Sequence, residues 1–315
     1  MSKTAFIFPG QGSQSVGMGR ELNGQYLGAA AYFETADRVL KTDLSRLMFE
    51  GPKEELTKTY NAQPALLTVS MAILSRLEGH GIKADYVAGH SLGEYSALVA
   101  SGVLAFEDAV AIVRKRGELM EKAVPAGKGT MAAVLGAGRE QLETLCQTIS
   151  GQGTPVQLAN INCPGQIVIS GTTEGVRGVA EAGKSVGAKR VLPLDVSGPF
   201  HSSLMEPASE ELKSVFARYE WQDANMPVIS NVSAEPVTEA EKLQETLIEQ
   251  LYSPVLWQQC IETLIGLGTD TFIEVGPGKV LAGLMKKISR DVRVFSVSNE
   301  EEIEAALRGL KGETL

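Results

Sequence analysis

The sequence is poor in the residues that build disulfide frameworks and metal sites. Its three cysteines lie far apart, form no even set for disulfide pairing and show no metal-ligand spacing; they are Cys146, Cys163 and Cys260. A few scattered, unpaired cysteines are typical of proteins in a reducing compartment. No apolar run approaches the ~20 residues that a membrane helix needs, and the apolar stretch at the N-terminus is too short for a signal peptide. We therefore expect a cytoplasmic protein with no bound metal and no membrane partner.

The sequence also has fewer basic than acidic residues. Asp and Glu number 38 against 29 Lys and Arg, which gives a formal net charge of −9. A nucleic-acid-binding protein usually shows the opposite balance, so nucleic acid is not an expected partner, although local basic patches remain compatible with this charge. The 315 residues, 43% of them hydrophobic, suffice for a large core in one domain with an insertion or in two lobes.

A glycine-rich loop near the N-terminus lacks the pattern of a nucleotide site. It comprises Pro9–Gln14 and follows a short apolar, β-prone segment, Thr4–Phe8. A dinucleotide fingerprint that starts at Gly10 would need glycine in place of Ser15, and no phosphate-binding Gly-Lys-Ser/Thr follows. No cofactor is therefore expected. Gln11 offers an amide to a substrate that approaches this loop; a plain turn is the alternative.

The strongest local pattern is Gly89-His90-Ser91-Leu92-Gly93, which reads G-x-S-x-G. A short apolar segment precedes it as a plausible strand, and apolar residues at helical spacing follow it. This context predicts a nucleophile elbow, a sharp strand-to-helix turn that exposes the hydroxyl of Ser91. The first turn of the helix offers unpaired N–H groups that suit a developing oxyanion. An ordinary glycine-rich turn is the alternative.

Alternating strands and helices predict an α/β fold with a mostly parallel sheet and two subdomains. After Gly127, about 70 residues follow the order β-α-β-β-α-β, which is typical of a ferredoxin-like unit. We expect residues 127–197 to form this small subdomain, inserted into a large subdomain of residues 1–126 and 198–315. A ligand cleft is expected between the two.

Helices are predicted through most of residues 20 to 80, with breaks at Gly51-Pro52 and around 61–64. The run Ala65–Leu77 is apolar enough for a buried helix. In the later part of the chain, strands are predicted at 227–232, 271–275 and 292–297.

A serine nucleophile needs a neighbouring base, and the chain has only three histidines. His80 lies between glycines in a predicted surface turn. His90 adjoins Ser91 and is expected to pack beneath the elbow, because neighbouring residues after a strand point apart. His201 lies where the small subdomain returns to the large one and is the candidate base, with a structural histidine as the alternative. A backbone carbonyl or a side-chain amide could orient its ring, so a Ser–His dyad is favoured over a full triad.

One arginine lies where it needs a partner. In the predicted helix Phe106–Lys122, Arg116 falls on the edge of an apolar stripe, between Val113 and Met120. A guanidinium this close to a buried face needs an anion beside it. A structural ion pair and a clamp for a substrate carboxylate, which arginine can hold bidentately, both fit.

Five motifs, in a fixed order from Phe6 to about Lys287, carry a resemblance to a known family. They are Phe8–Gln14, Gly89–Glu94, Gly198–His201, Gln250–Trp257 and Glu274–Lys279. Together they resemble the malonyl-CoA:acyl carrier protein transacylase family.

The resemblance implies a large hydrolase-like α/β subdomain and a small ferredoxin-like one, in agreement with the pattern above. It also implies transfer of a malonyl group from malonyl-CoA to the phosphopantetheine thiol of acyl carrier protein, for fatty-acid synthesis. The transfer would pass through a malonyl-serine ester and needs no metal or cofactor. We expect the protein to act as a monomer.

The same resemblance assigns the reacting groups. Ser91 would be the nucleophile and His201 the base. Gln11 and the backbone N–H of Leu92 would line the oxyanion site, and Gln250 would help to orient His201.

The resemblance also assigns selectivity. Arg116 would hold the malonyl carboxylate, and Phe200, just before the histidine, fits malonyl rather than methylmalonyl. Because acyl carrier proteins are generally acidic, docking needs a local basic patch on this acidic chain. The candidates for this patch are Lys189-Arg190 and Lys286-Lys287-Arg290.

Three alternatives remain at this stage. A serine esterase or thioesterase would pass the acyl group to water, and a related acyltransferase would supply a polyketide pathway instead. A non-catalytic subunit that binds acyl carrier protein is the third, and the presence of Ser91, His201 and Arg116 argues against it.

Overall fold

A computed structural model of the chain describes residues 2–125 and 127–311, and the strands of these residues form two sheets. The larger sheet has six strands in the spatial order β10 (Arg293–Val297), β9 (Thr269–Val275), β1 (Lys3–Phe8), β2 (Tyr86–Gly89), β7 (Val228–Ile229) and β8 (Pro236–Val237). Neighbours are parallel from β10 to β7, and β8 pairs with β7 in the antiparallel sense. The predicted mostly parallel sheet is confirmed.

In the part of the chain that the structure describes, twelve helices surround this sheet. They are α1 (Arg20–Gln25), α2 (Leu27–Leu40), α3 (Leu44–Glu50), α4 (Lys53–Thr57), α5 (Thr59–Gly79), α6 (Leu92–Ala100), α7 (Phe106–Lys122), α10 (Glu206–Phe216), α11 (Ala240–Gln250), α12 (Trp257–Gly266), α13 (Val280–Ile288) and α14 (Glu300–Leu310). Among the residues described, no helix combines the length and the apolar character needed to cross a membrane.

The large sheet is buried on both faces, as the apolar strands of a parallel sheet require. Successive residues of β1 point to opposite sides. Phe6 and Phe8 join the core that contains α5 and α7, whereas Ala5 and Ile7 join the core that contains α12 and α13. The strand ends that carry the site are therefore held between two helical layers.

The smaller sheet is antiparallel, in the order β4 (Val156–Cys163), β5 (Gln166–Thr172), β3 (Gly129–Leu135) and β6 (Arg190–Pro193). Helices α8 (Arg139–Ser150) and α9 (Thr173–Ala182) cover one face. The other face sends Met131, Ala133 and Val168 into the core of the large subdomain. The β-α-β-β-α-β order and this arrangement confirm the ferredoxin-like prediction. The exact subdomain limits stay a prediction, and residue 126 lies outside the described residues.

The predicted helix break around residues 61–64 is wrong. Helix α5 continues through Pro64, in its second turn. Because proline has no N–H, the carbonyl of Tyr60, one turn earlier, has no donor within the helix. Arg114 of α7 donates its Nη1 to this carbonyl at 3.3 Å and to Asn61 Oδ1 at 2.7 Å. A neighbouring helix thus compensates for the proline, and no local pattern reveals that contact.

Of two other predicted boundaries, one is confirmed and one differs. The break at Gly51-Pro52 is confirmed, because α3 ends and α4 begins on either side of it. The strand predicted at 227–232 is confined to the two residues of β7, since the chain turns at Ser230–Ala234 to pair β8 with it. A strand of two residues is too short to show the alternation of apolar and polar side chains by which a strand is recognised in a sequence.

The ends of β1 and β2 and the start of α6 approach one another very closely beside Ser91. An added β-carbon on Gly89, at the end of β2, would lie 1.9 Å from the backbone of Gly93 in α6. One on Gly93 would lie 2.1 Å from the backbone oxygen of Phe8, at the end of β1. The two glycines of the G-x-S-x-G pattern are therefore needed for backbone-to-backbone packing of α6 on β1 and β2.

We expect Gly93→Ala to lower the free energy of unfolding by about 3 kcal/mol or more, because its methyl group overlaps the Phe8 carbonyl. The matched control is Gly283→Ala, also in a helix, where nothing lies within 4 Å of the added carbon. This control should raise stability by about 0.5–1 kcal/mol. Denaturant unfolding measures both, and equal stability of Gly93→Ala and wild type would contradict the packing described.

Candidate active site

Ser91 occupies a strained turn between β2 and α6. Its φ of 52° and ψ of −105° place a non-glycine residue at positive φ, which costs of order 1–3 kcal/mol. Asn231, just after β7, holds this turn from both sides. Its Oδ1 accepts from the Ser91 backbone N–H at 2.8 Å, and its Nδ2 donates to the Gly89 carbonyl at 2.7 Å. The structure thus has the predicted strand–turn–helix context, with Ser91 at the turn.

His201 contacts the Ser91 hydroxyl through one ring nitrogen. Its Nε2 lies 2.8 Å from Ser91 Oγ, and its Nδ1 lies 2.7 Å from the backbone carbonyl of Gln250. A carbonyl only accepts hydrogen bonds, so Nδ1 must carry the proton and Nε2 offers a lone pair to the hydroxyl. The side chain next to Ser91 is therefore arranged as a proton acceptor.

The environment keeps this imidazole neutral. Burial, and secondarily the positive charge of Arg116, lower the pKa of His201 to about 3. At neutral pH, Nε2 is free of a proton before reaction. Since Gln250 contributes a neutral carbonyl rather than a carboxylate, the contacts are those of a dyad.

Arg116 is 1% exposed and lies beside the dyad. Its Nη1 donates to Gln63 Oε1 at 2.9 Å, and its Nη2 donates to Gln250 Oε1 at 2.9 Å and to Ser91 Oγ at 3.2 Å. Among the described residues, no carboxylate pairs with this guanidinium at salt-bridge distance. The structural ion pair considered for it is therefore wrong, and its charge is held by neutral oxygens.

Gln250 has two different roles in these contacts. Its main chain orients His201, whereas its side chain bridges several other groups. The side-chain Nε2 donates to Glu94 Oε2 at 2.7 Å and to the Ser91 carbonyl at 3.1 Å, while Oε1 faces Arg116. The predicted link from Gln250 to the histidine is thus made by a backbone atom.

The expected oxyanion groups lie at the ends of neighbouring strands. Gln11 follows β1 and lines the same cavity as Ser91, and its Nε2 donates to Thr59 Oγ1 at 3.3 Å. The N–H of Leu92 begins helix α6, where amide groups have no partner one turn back. Gln11 borders the cavity and Leu92 directly follows Ser91 in the chain, and the role of both groups stays a prediction.

The expectation that His90 packs beneath the elbow is wrong. Its ring lines the cavity with Ser91, and its Nε2 lies 2.8 Å from Asn162 Oδ1 in the small subdomain. The ring also packs on Trp257, with the centroids 5.5 Å apart. Alternation fails here because Ser91 leaves the strand at positive φ, so two consecutive side chains reach the same space. His80, by contrast, lies exposed in a turn as predicted.

The cavity lies between the subdomains and measures about 130 Å³. The large subdomain contributes Ser91 and His201, and the small subdomain contributes Met131 and Asn160. Phe200 is 5% exposed and also lines it. The predicted cleft between subdomains is therefore present, and most of the site residues named from the sequence border it.

A hydroxyl whose proton a neutral imidazole can accept is suited to attack an acyl carbonyl. The fold that carries it is a parallel α/β sheet with an inserted ferredoxin-like unit. Fold and chemistry together indicate the class of α/β enzymes whose serine–histidine pair suits acyl transfer.

The chain belongs to the acyl transferase domain family, which matches residues 5–306. It is 58% identical, over 99% of both chains, to the malonyl CoA-acyl carrier protein transacylase of Bacillus subtilis strain 168. The crystal structure of an acyl carrier protein S-malonyltransferase from Vibrio cholerae superposes with a TM-score of 0.94 at 44% identity, over 97% of this chain and 100% of that one.

A second solved structure is a malonyl-transacylase in complex with a type II PKS acyl-carrier protein. It superposes with a TM-score of 0.95 at 41% identity, over 98% of this chain and 100% of that one. The resemblance stated from the five motifs is thereby confirmed.

Three polar residues that the sequence analysis did not select complete the site. Gln63 accepts a hydrogen bond from Arg116, and Glu94 accepts one from Gln250. Asn231 holds the elbow through the Ser91 backbone N–H. Asn231 follows the strand beside β2, so a polar residue at that strand end was a usable signal. Gln63 and Glu94 lie within apolar helices, where their burial becomes apparent only from the packing.

We expect Asn231→Ala to slow acylation of Ser91 about tenfold or more, because the turn loses both hydrogen bonds that hold it at positive φ. The rate constant for labelling by a fluorophosphonate, which reacts with activated serines, measures this directly. The exposed Asn225→Ala serves as the control. An unchanged labelling rate at saturating reagent would remove Asn231 from this positioning role.

Proposed function

We propose that the chain transfers a malonyl group from malonyl-CoA to the phosphopantetheine thiol of an acyl carrier protein, supplying fatty-acid synthesis. The observation that carries this proposal is the position of Arg116, whose Nη2 lies 3.2 Å from the Ser91 hydroxyl. A malonyl group places its carboxylate two carbons from the reacting carbonyl. A short diacid is therefore the acyl group that can react at Ser91 and reach Arg116 at once.

The first half-reaction forms an ester on Ser91. His201 Nε2 takes the hydroxyl proton as Oγ bonds to the thioester carbonyl carbon. The carbonyl oxygen becomes an oxyanion, which the Leu92 N–H and the Gln11 amide stabilise. When the carbon–sulfur bond breaks, the protonated imidazole gives its proton to the leaving thiolate, and the histidine is neutral again.

The second half-reaction reverses the first with another thiol. The thiol of the carrier gives its proton to His201 and attacks the ester, and the proton returns to Ser91 Oγ as the serine leaves. Coenzyme A and the carrier share the same phosphopantetheine arm, so one cleft serves both. Each removed oxyanion donor typically costs about 10²–10³ in rate.

Selectivity follows from the buried charge. An acetyl group leaves the guanidinium of Arg116 without an anion inside the closed site, and the transition state loses that interaction. Phe200 lines the cavity and limits the space around the acyl group, which favours malonyl over its branched homologue.

Carrier docking is proposed at one end of the small sheet. There Gln166, Leu135 and Arg190 are paired across three neighbouring strands, and Lys287 Nζ lies 3.2 Å from Gln166 Oε1. The two basic groups named from the sequence therefore lie at the same end of the small sheet. Met131, at the cavity, is about 13 Å away along β3, at roughly 3.3 Å per residue. The assignment of this patch to docking stays a prediction.

A polyketide carrier is the second candidate for the acceptor. The observation that favours it is the likeness to a malonyl-transacylase in complex with a type II PKS acyl-carrier protein. Both acceptors present the same thiol, so the chemistry at Ser91 is unchanged.

Intact-protein mass spectrometry after brief mixing with malonyl-CoA tests the transfer. We expect a malonyl-sized mass gain that Ser91→Ala abolishes and that holo carrier protein discharges. The control Ser214→Ala, on the exposed face of α10, should keep the gain. Discharge by water as fast as by carrier would indicate a thioesterase, and no gain under any condition would refute the transfer.

We expect Arg116→Ala to lower the ratio of kcat/KM for malonyl-CoA over acetyl-CoA by about a hundredfold, because it removes a buried charged partner of the carboxylate. The matched control is Arg114→Ala, on the same helix but bonded to Tyr60, Asn61 and Glu118 instead. An unchanged ratio in Arg116→Ala would exclude the arginine from carboxylate recognition.

A further inference from the structure

Glu94 is a buried carboxyl group that the mechanism above does not use. It is 0% exposed and lies in the first turn of α6, three residues after Ser91. Its Oε2 accepts from Gln250 Nε2 at 2.7 Å and from the Asn231 backbone N–H at 3.2 Å. Its Oε1 has no hydrogen-bond partner among the described residues. A carboxyl this deeply buried needs a compensating charge or a proton.

The compensating charge is Arg116, reached through a single amide. The side chain of Gln250 accepts from Arg116 with Oε1 at 2.9 Å and donates to Glu94 with Nε2. Both ionic groups are buried, and each acts electrostatically on the other. The empty site therefore holds one cation and one carboxyl group, joined by a neutral bridge.

A bound malonyl group changes this balance. Its carboxylate would pair with the buried guanidinium of Arg116, whose Nε has no hydrogen-bond partner among the described residues, so that one guanidinium would face two carboxylates in a region without solvent. Two like charges that share a buried site raise the pKa of at least one of them. The substrate carboxylate contacts the guanidinium directly, whereas Glu94 contacts it only through the amide, so Glu94 is the group that becomes neutral.

We propose that Glu94 is ionised while the acyl site is empty and takes up a proton when the acyl carboxylate pairs with Arg116. Loading of the enzyme is then coupled to proton uptake, and discharge to the carrier is coupled to proton release. The proton comes from solvent, forms an O–H bond on the Glu94 carboxyl and returns to solvent. This inference rests on the proposed function, because it needs an acyl group that carries a carboxylate.

Among the titratable groups that face one another here, Glu94 is the one that gains or loses a proton near neutral pH. Burial raises the pKa of Glu94 to about 7, although its two hydrogen-bond donors and Arg116 oppose this rise. On the same helix, burial raises the pKa of the Tyr95 hydroxyl well above its ordinary value. From α12, burial likewise raises the pKa of the Cys260 thiol.

The remaining charged neighbours do not titrate in this range either. The Arg116 guanidinium stays protonated although burial lowers its pKa. Burial and the charge of Arg116 keep His201 neutral, with a pKa of about 3, and burial lowers the pKa of His90. Between pH 6 and 8, the proton count of this cluster therefore follows Glu94.

Stopped-flow mixing with malonyl-CoA in weak buffer at pH 7.5, with a pH-indicator dye, measures the coupling. We expect wild type to take up between about 0.3 and 0.8 proton per malonyl-enzyme formed, and Glu94→Gln to take up none. Glutamine keeps an acceptor for Gln250 and Asn231 but cannot be ionised. Release of the CoA thiol contributes equally in both proteins, since its ionisation does not depend on residue 94.

Mass spectrometry of the same samples gives the amount of malonyl-enzyme, which separates two failures. If no malonyl-enzyme forms in wild type, the proposed function fails. If malonyl-enzyme forms and the proton uptake is zero, or equal in wild type and Glu94→Gln, this inference is refuted. Glu78→Gln is the control, because burial also raises the pKa of Glu78 but the residue lies at the far end of α5. Its uptake should match wild type.

The wild type alone provides a second measurement if Glu94→Gln does not fold. At a fixed ratio of malonyl-CoA to CoA, the loaded form binds the extra proton, so the loaded fraction should fall as pH rises from 6 to 8. A loaded fraction that is constant or rises over this interval would overturn the coupling.

Discussion

The buried guanidinium of Arg116 is the constraint on which the rest of the site depends. Removal of such a charge from water costs several kcal/mol unless its donors are matched. Its partners come from three separate segments, Gln63 of α5, Ser91 of the elbow and Gln250 of α11. Hydrogen bonds to a charged group contribute about 1.5–3 kcal/mol each to stability. One side chain therefore fixes the positions of the three segments relative to one another. The arrangement that binds the charge also positions the Ser91 hydroxyl.

Much of this site could be predicted from the sequence, for identifiable reasons. The elbow at Ser91 has a local cause, because two glycines allow α6 to touch β1 and β2. The subdomain order could be read from alternating periodicity, and the choice of His201 followed from the scarcity of histidine. Arg116 was recognisable because a charged residue interrupts an apolar stripe. Each of these signals lies in a local pattern of the sequence or in its composition.

The parts that the sequence analysis missed depend on contacts between distant segments. Asn231 holds Ser91 from 140 positions away, and Gln63 receives Arg116 from 53 positions away. Helix α5 continues through Pro64 because Arg114 of another helix occupies the carbonyl that proline leaves free. Whether Arg116 has an ion pair is also a property of packing, since a stripe shows that a charge is buried but not which atoms surround it.

The neutral partners of Arg116 suit an enzyme that must both bind an acyl group and release it. A direct ion pair would occupy the guanidinium and compete with the substrate carboxylate. A bare guanidinium would hold that carboxylate tightly and would leave an unbalanced charge whenever the site was empty. The amide of Gln250 lies between these extremes, because it links Arg116 to Glu94 while the Arg116 Nε keeps no hydrogen-bond partner among the described residues. A buried carboxyl one amide away can balance the empty site and lose its charge when a second carboxylate arrives. With the proposed protonation of Glu94, the cost of the buried cation stays similar in the empty and in the loaded enzyme.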